Sequence, residues 1–222
     1  INKNLEEHLR NNKKFELLEV LTNDLPNPEC VKFVFQENPL GLGHAIWCAR
    51  EFFSENEFFA IVLPDDVILG PEPCLKELVS IHENHSCNVI SVMEVEKQNV
   101  SKYGILDFYE QKDNFYKVTN IIEKPNQDNA PSNIAVVGRY ILSSKIFNYL
   151  SLQKKGKNSE IQITDSITGL LSEQAVLGVK FSGKRYDCGD RRGYIEAFLD
   201  KAISEDSNLL PYLRNIINSK MN

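Results

Sequence analysis

The 222 residues are 42% hydrophobic and 25% charged, a balance that excludes a disordered or fibrous chain and leaves apolar material for one domain or slightly more. A formal net charge of -6 is the wrong sign for a nucleic-acid partner, which selects clustered Lys and Arg. No apolar run approaches the ~20 residues of a membrane span, and the first residues lack the charged-then-apolar pattern of a signal peptide, so no membrane partner and a cytoplasmic location are expected.

Leu5, Leu9, Phe15, Leu18 and Leu21 recur at helical intervals over 4–21, with Asn4 placed to cap the segment. VKFVF at 31–35 reads as a strand, PLGLG at 39–43 as a turn, and the next segment as a helix ending near Phe53. The apolar run 58–66, closed by Pro64, Asp65 and Asp66, suits a strand buried on both faces. A helix at 74–84 and a strand at 88–95 complete a β-α-β-α-β alternation, which predicts an α/β fold with a mixed, mainly parallel sheet flanked by helices. Ligands of such sheets bind beyond the carboxyl ends of the strands. Beyond it, strands are expected around 103–110, 114–125, 132–142 and 176–189, and helices at 143–150, 159–174, 191–204 and 208–218. The five cysteines, Cys30, Cys48, Cys74, Cys87 and Cys188, are odd in number and never spaced C-x-x-C, which argues for reduced, mostly buried thiols rather than disulfides or a zinc site.

Three places concentrate chemistry. Gln36 precedes a turn whose Gly41 and Gly43 let a ligand approach the backbone, although Ile46 stands where a dinucleotide fingerprint wants Gly or Ala. The competing reading is a tight turn needing positive φ. Asp65 and Asp66 end a buried strand, where carboxylates bind a hard cation such as Mg2+ or cap the following turn. Neighbours on an extended strand face opposite ways, so only one of the two can be a direct ligand. Glu123-Lys124-Pro125 sets an acid beside a base at a strand end, able to hold hydroxyls and a phosphate, or to be solvated charge.

Taken in order, Gln36 with PLGLGHA, LPDD at 63–66, YG at 103–104, EKP at 123–125, APSNIAVVGRY at 130–140, EIQITD at 160–165 and YDCG at 186–189 resemble the prokaryotic UDP-glucose pyrophosphorylases of the sugar nucleotidyltransferase family. The resemblance implies a Rossmann-like nucleotide-diphospho-sugar transferase fold that condenses UTP with glucose 1-phosphate to UDP-glucose and pyrophosphate. It further implies that Gln36 and the Gly41 backbone read uracil, and that Asp65 and Asp187 hold Mg2+. Glu123 and the backbone at Gly104 and Gly138 would bind glucose, and Lys124 would contact the sugar phosphate. The catalytic set is then Lys124, Asp65 and Asp187.

On this reading residues 1–222 form one nucleotidyltransferase domain: 1–95 nucleotide-binding, 96–200 sugar-phosphate-binding and 201–222 a C-terminal helical segment. Family members open with a strand and a glycine-rich phosphate loop, and Ile1 resembles a position just after that region, so the chain is expected to lack that segment. Three alternatives stay open: a metal-dependent glycosyltransferase, whose usual D-x-D contrasts with Asp65-Asp66-Val67; a transferase using dTTP or another sugar phosphate; and a non-catalytic regulatory or assembly subunit. A homodimer or homotetramer is expected from the family, with 208–218 as a candidate contact.

Overall fold

A computed structural model describes residues 3–23, 26–112, 114–152, 156 and 159–221; Ile1 lies outside them. The chain falls into two compact units, residues 1–37 and 38–222. In the first, the single helix expected over 4–21 is two, α1 (Lys3–Asn11) and α2 (Phe15–Asn23). Lys13 takes a left-handed φ of 55° between them, and Leu9 and Leu18 are the buried residues of the pair. The stretch 31–36 is not a strand, and Phe33 and Phe35 are 85% and 86% exposed. β-branched and aromatic propensity makes no strand without a partner ladder, and this stretch has none among the described residues.

The second unit is built on a mixed sheet. Its strands are β1 (Phe58–Val62), β3 (Asn88–Glu94), β4 (Gly104–Lys112), β5 (Phe115–Glu123), β6 (Ile134–Ser143) and β7 (Val176–Lys180), in the order β1-β6-β3-β7-β5-β4. β2 (Asp66–Leu69) and β8 (Lys184–Asp187) form a separate antiparallel pair. The mixed character is as expected, but the mainly parallel pairing is not: among the described strands only β3 and β7 pair in parallel. The cause is local. β4 and β5 form a long hairpin, and β6 runs antiparallel between β1 and β3.

Both faces of the sheet are covered. On one, Ile90, Val92, Tyr140 and Leu142 pack with residues of α3 (Leu42–Cys48), α5 (Ile146–Leu150) and α6 (Ile163–Leu170). On the other, Val89, Val137, Ile141 and Val179 pack with Cys74 and Leu78 of α4 (Cys74–His85). The alternation of Val137, Tyr140, Ile141 and Leu142 between the two clusters is the period of two that a strand imposes. β1 departs from the expected two-sided burial: Phe59 and Ile61 are buried while Ala60 and Val62 are exposed, and among the described residues the strand pairs only with β6. α7 (Arg191–Glu205), capped by Asp190, packs against β8 and is followed by α8 (Leu209–Met221). Among the described residues no helix is long and apolar enough to cross a membrane.

One irregularity places the site. The β3–β6 register shifts between Ile90 and Val92, and the buried Ser91 hydroxyl fills the bulge, lying 3.1 Å from the Val137 carbonyl and 3.0 Å from that of Arg139. The extra residues are on β6, where Val137, Gly138 and Arg139 stand opposite Ser91 alone, and a bulge re-aims the strand that carries it.

All five cysteines are free, but only Cys74 and Cys87 are buried; Cys30 is exposed and the other two are intermediate. Burial pushes the Cys74 thiol up to about 12, with Glu77 adding to the effect, and burial alone pushes Cys87 up to about 11. Iodoacetamide at pH 8 should therefore label Cys30 first and reach Cys74 and Cys87 only after urea, as read by peptide mass; equal native labelling would contradict the core assignment. Leu142, fully buried, should cost about 2–5 kcal/mol when changed to Ala, measured by urea unfolding.

Candidate active site

The turn after β1 is held by backbone and guanidinium contacts before any ligand is considered. Leu63 N–H donates to the Gly138 carbonyl at 2.9 Å, and Cys188 N–H to the Asp65 carbonyl at 2.7 Å. Arg139 donates to the carbonyls of Leu63 at 2.7 Å and Asp66 at 2.6 Å. The turn therefore leaves β1 in one conformation, with Asp65 exposed and Asp66 buried.

Asp66 is 6% exposed, and both its carboxylate oxygens are occupied. Oδ2 accepts the Gly138 N–H at 2.7 Å, and Oδ1 accepts from the Arg185 guanidinium. A Cβ on Gly138 would lie 2.5 Å from Asp66 Oδ2 and 2.7 Å from Leu63 Cβ, so only glycine allows this approach. Arg185 also reaches Asp187 Oδ2 at 3.2 Å and the Tyr103 hydroxyl at 3.2 Å. Burial opposes its charge, but the acidic neighbours led by Asp66 outweigh burial and the net shift is upward. Removing one member of a buried pair like this costs about 3–5 kcal/mol, because the other charge is left without compensation.

Asp65 and Asp187 are turned differently. A Cβ built on Gly189 would lie 3.2 Å from Asp187 Oδ1 and 3.4 Å from Asp65 Oδ2, so both carboxylates face the space beside that glycine. Among the described residues no cluster of three or more His, Cys, Asp or Glu side chains could hold a metal.

Across the cleft, β4 begins and β5 ends in register, Gly104 opposite Glu123. Glu123 Oε2 accepts from the Thr164 hydroxyl at 3.0 Å, and Lys124 Nζ is 3.6 Å from Glu123 Oε1. Lys124 itself has φ 47°, a left-handed conformation that costs a non-glycine residue on the order of 1–3 kcal/mol and that collects at functional sites. Its N–H donates to the Tyr103 carbonyl at 2.9 Å.

Asp65, Gly104, Glu123, Lys124, Gly138 and Asp187, drawn from five separate stretches of sequence, line one cleft of about 350 Å3. A larger cavity of about 520 Å3, beside His85, Cys87 and Lys117, contains none of them. Gly41 does not line the cleft, although Leu42 does. With φ 98° it caps α3, and the flanking Leu40 and Gly43 exchange backbone hydrogen bonds with Ile161 at 2.7 and 2.9 Å. Gln36 is half-buried in the first unit.

Sequence reasoning missed Arg185, Arg139, Thr164 and Tyr140 as parts of the site. The signal for Arg185 was its spacing from Asp187, which puts both on one face of β8. Thr164 lay inside the quoted EIQITD string without a role. Tyr140 lines the cleft at 4% exposure. Burial, then Asp66 and Glu123, raise its hydroxyl above the usual tyrosine range and keep it protonated.

Residues 2–203 match the nucleotidyl transferase family. The chain is 37% identical over 219 residues to the UTP–glucose-1-phosphate uridylyltransferase of Bacillus subtilis (strain 168), covering 97% of this chain and 74% of that one. It superposes on a crystal structure of UDP-glucose pyrophosphorylase complexed with UDP-glucose with a TM-score of 0.73, at 41% identity over 78% of this chain and 67% of that one. A UTP-bound enzyme from Acinetobacter baumannii gives a TM-score of 0.83 at 32% identity, covering 98% of this chain and 75% of that one. The chain thus spans two thirds to three quarters of the length of these relatives. It belongs to the nucleotidyl transferase family, on the branch that holds the UTP–glucose-1-phosphate uridylyltransferases.

Proposed function

We propose that the chain condenses UTP with α-D-glucose 1-phosphate to UDP-glucose and pyrophosphate. The observation that carries this reading is the convergence of two outward carboxylates, one lysine and one hydrogen-bonded glutamate on a single cleft. The names of its relatives supply the substrates. A non-catalytic subunit would have no use for that charge cluster or for the strained backbone at Lys124.

The attacking atom is a phosphate oxygen of the sugar phosphate, already anionic at neutral pH. It forms a bond to the α-phosphorus of UTP as the bond to the β-phosphate oxygen breaks, and pyrophosphate leaves with that electron pair. No general base is needed, and the work of the protein is positioning and charge neutralisation. Lys124 offsets charge on the sugar phosphate. Glu123, oriented by Thr164, accepts hydrogen bonds from glucose hydroxyls, and Gly104 leaves room for the ring. Gly138, assigned to the glucose side, has its N–H on Asp66 and its carbonyl on Leu63 and Arg139, so it lines the cleft without a free backbone polar group. Gln36 and Gly41 are assigned to uracil.

Asp65 and Asp187 fit Mg2+ better than zinc: they are hard oxygen donors, and two carboxylates completed by phosphate oxygens and water are its usual set. Mg2+ held by Asp65 and Asp187 would supply charge neutralisation for the triphosphate. The free thiols support a reducing, cytoplasmic location. The exposed Phe198, Leu210 and Ile217 of α7 and α8 support a homodimer or homotetramer.

Pyrophosphate release from UTP should require both glucose 1-phosphate and Mg2+ and should be slower with dTTP; no release with all three present would sink the reading. Asp65→Ala and Asp187→Ala should each lower kcat roughly 100-fold with native circular dichroism, and near-normal turnover in both would show the cation lies elsewhere. Lys124→Ala should raise the KM for glucose 1-phosphate about tenfold or more with less effect on that for UTP, as measured by initial rates.

A further inference from the structure

Asp65, Asp66 and Asp187 bring three carboxylates to one turn and one strand pair, and β2–β8 pairing sets Asp66 directly opposite Asp187. Like charges placed so repel unless a cation lies between them. The Arg185 side chain, 12% exposed, fills that place. Its Nε and Nη2 take Asp66 Oδ1, the same Nη2 reaches Asp187 Oδ2, and Nη1 meets the Tyr103 hydroxyl. Three strands are joined through one planar group, because Tyr103 directly precedes Gly104 at the start of β4.

Resting on the cation site proposed above, we infer that Arg185 is a positioning residue: it withdraws Asp66 from coordination and turns Asp187 so that Oδ1 faces Asp65. With Oδ1 on Arg185, Oδ2 on Gly138 and the residue 6% exposed, both oxygens of Asp66 are committed to the protein, whereas Asp65 is exposed. With Oδ2 held by Arg185, Asp187 presents Oδ1 to the space beside Gly189 that Asp65 also faces. Lysine could supply the charge but not the fork, since the geometry needs two or more N–H groups in fixed directions. Residues that orient metal ligands typically change metal affinity 10–100-fold when replaced.

The test separates this role from support of the fold. Mn2+ is titrated into the purified protein without substrates and its binding is read by water-proton relaxation; melting temperature is measured in parallel. Arg185→Gln should weaken Mn2+ binding roughly 10–100-fold and lower the melting temperature, because Asp66 is left buried and charged. The double variant Asp66→Asn with Arg185→Gln removes both charges and should recover melting temperature but not Mn2+ affinity. Recovery of both would reduce Arg185 to a structural counter-charge and overturn the inference. Arg185→Lys keeps the charge and the fold and should still weaken Mn2+ binding about tenfold; wild-type affinity there would overturn it equally. A wild type that does not bind Mn2+ would remove the cation site and this role together. Mn2+ binding that follows the expected pattern in a protein unable to make UDP-glucose would instead discard the sugar-nucleotide reading and leave Arg185 in its role.

Discussion

A carboxylate taken out of water loses several kcal/mol of solvation even after local relaxation, and Asp66 is taken almost entirely out. Its burial is tolerable only if a backbone N–H and a guanidinium arrive together, and much of the site's local structure follows from that requirement. Gly138 must lack a side chain for its N–H to reach Oδ2, and Arg185 must come from β8, which docks the small β2–β8 pair beside the main sheet. Arg139, next to Gly138, takes up the carbonyls of the same turn. Asp65 is thereby left as the exposed carboxylate of the turn.

The bulge in β6, opposite Ser91 of β3, serves the same end from inside the core. Ser91 is fully buried, and its hydroxyl lies against two carbonyls on β6 that the shifted register leaves close together. On either side of the shift β6 pairs with β3 as an ordinary antiparallel strand; within it Gly138 turns its N–H to Asp66. A hydroxyl is small enough for the gap and satisfies polar groups that an aliphatic side chain would leave bare.

How much of this could be read beforehand depended on the range of the forces involved. The elements at 74–84, 88–95 and 132–142 were legible because local periodicity and burial agree there. The run at 31–35 misled because strand propensity describes a surface that needs a partner, and the partner is not encoded in those five residues. Parallel pairing was inferred from alternation of elements, whereas strand direction is set by where β6 and the β4–β5 hairpin insert. Asp65, Glu123 and Lys124 were legible as chemistry at strand ends, while Asp187 entered only through the resemblance of YDCG to the family. Arg185 and Asp66 were not separable as a pair, since they stand 119 positions apart and nothing local links them.

Lys124 shows what the site sacrifices. A glycine at this position would adopt the left-handed φ of 47° without penalty and would relieve strain in the native state. It would also delete the amine beside Glu123. Backbone comfort and side-chain charge are thus in conflict at one residue, and on the role proposed for Lys124 the chain trades stability for activity there. Screens that select only for thermal tolerance will therefore tend to erode this position, while selection on turnover will hold it against its own backbone.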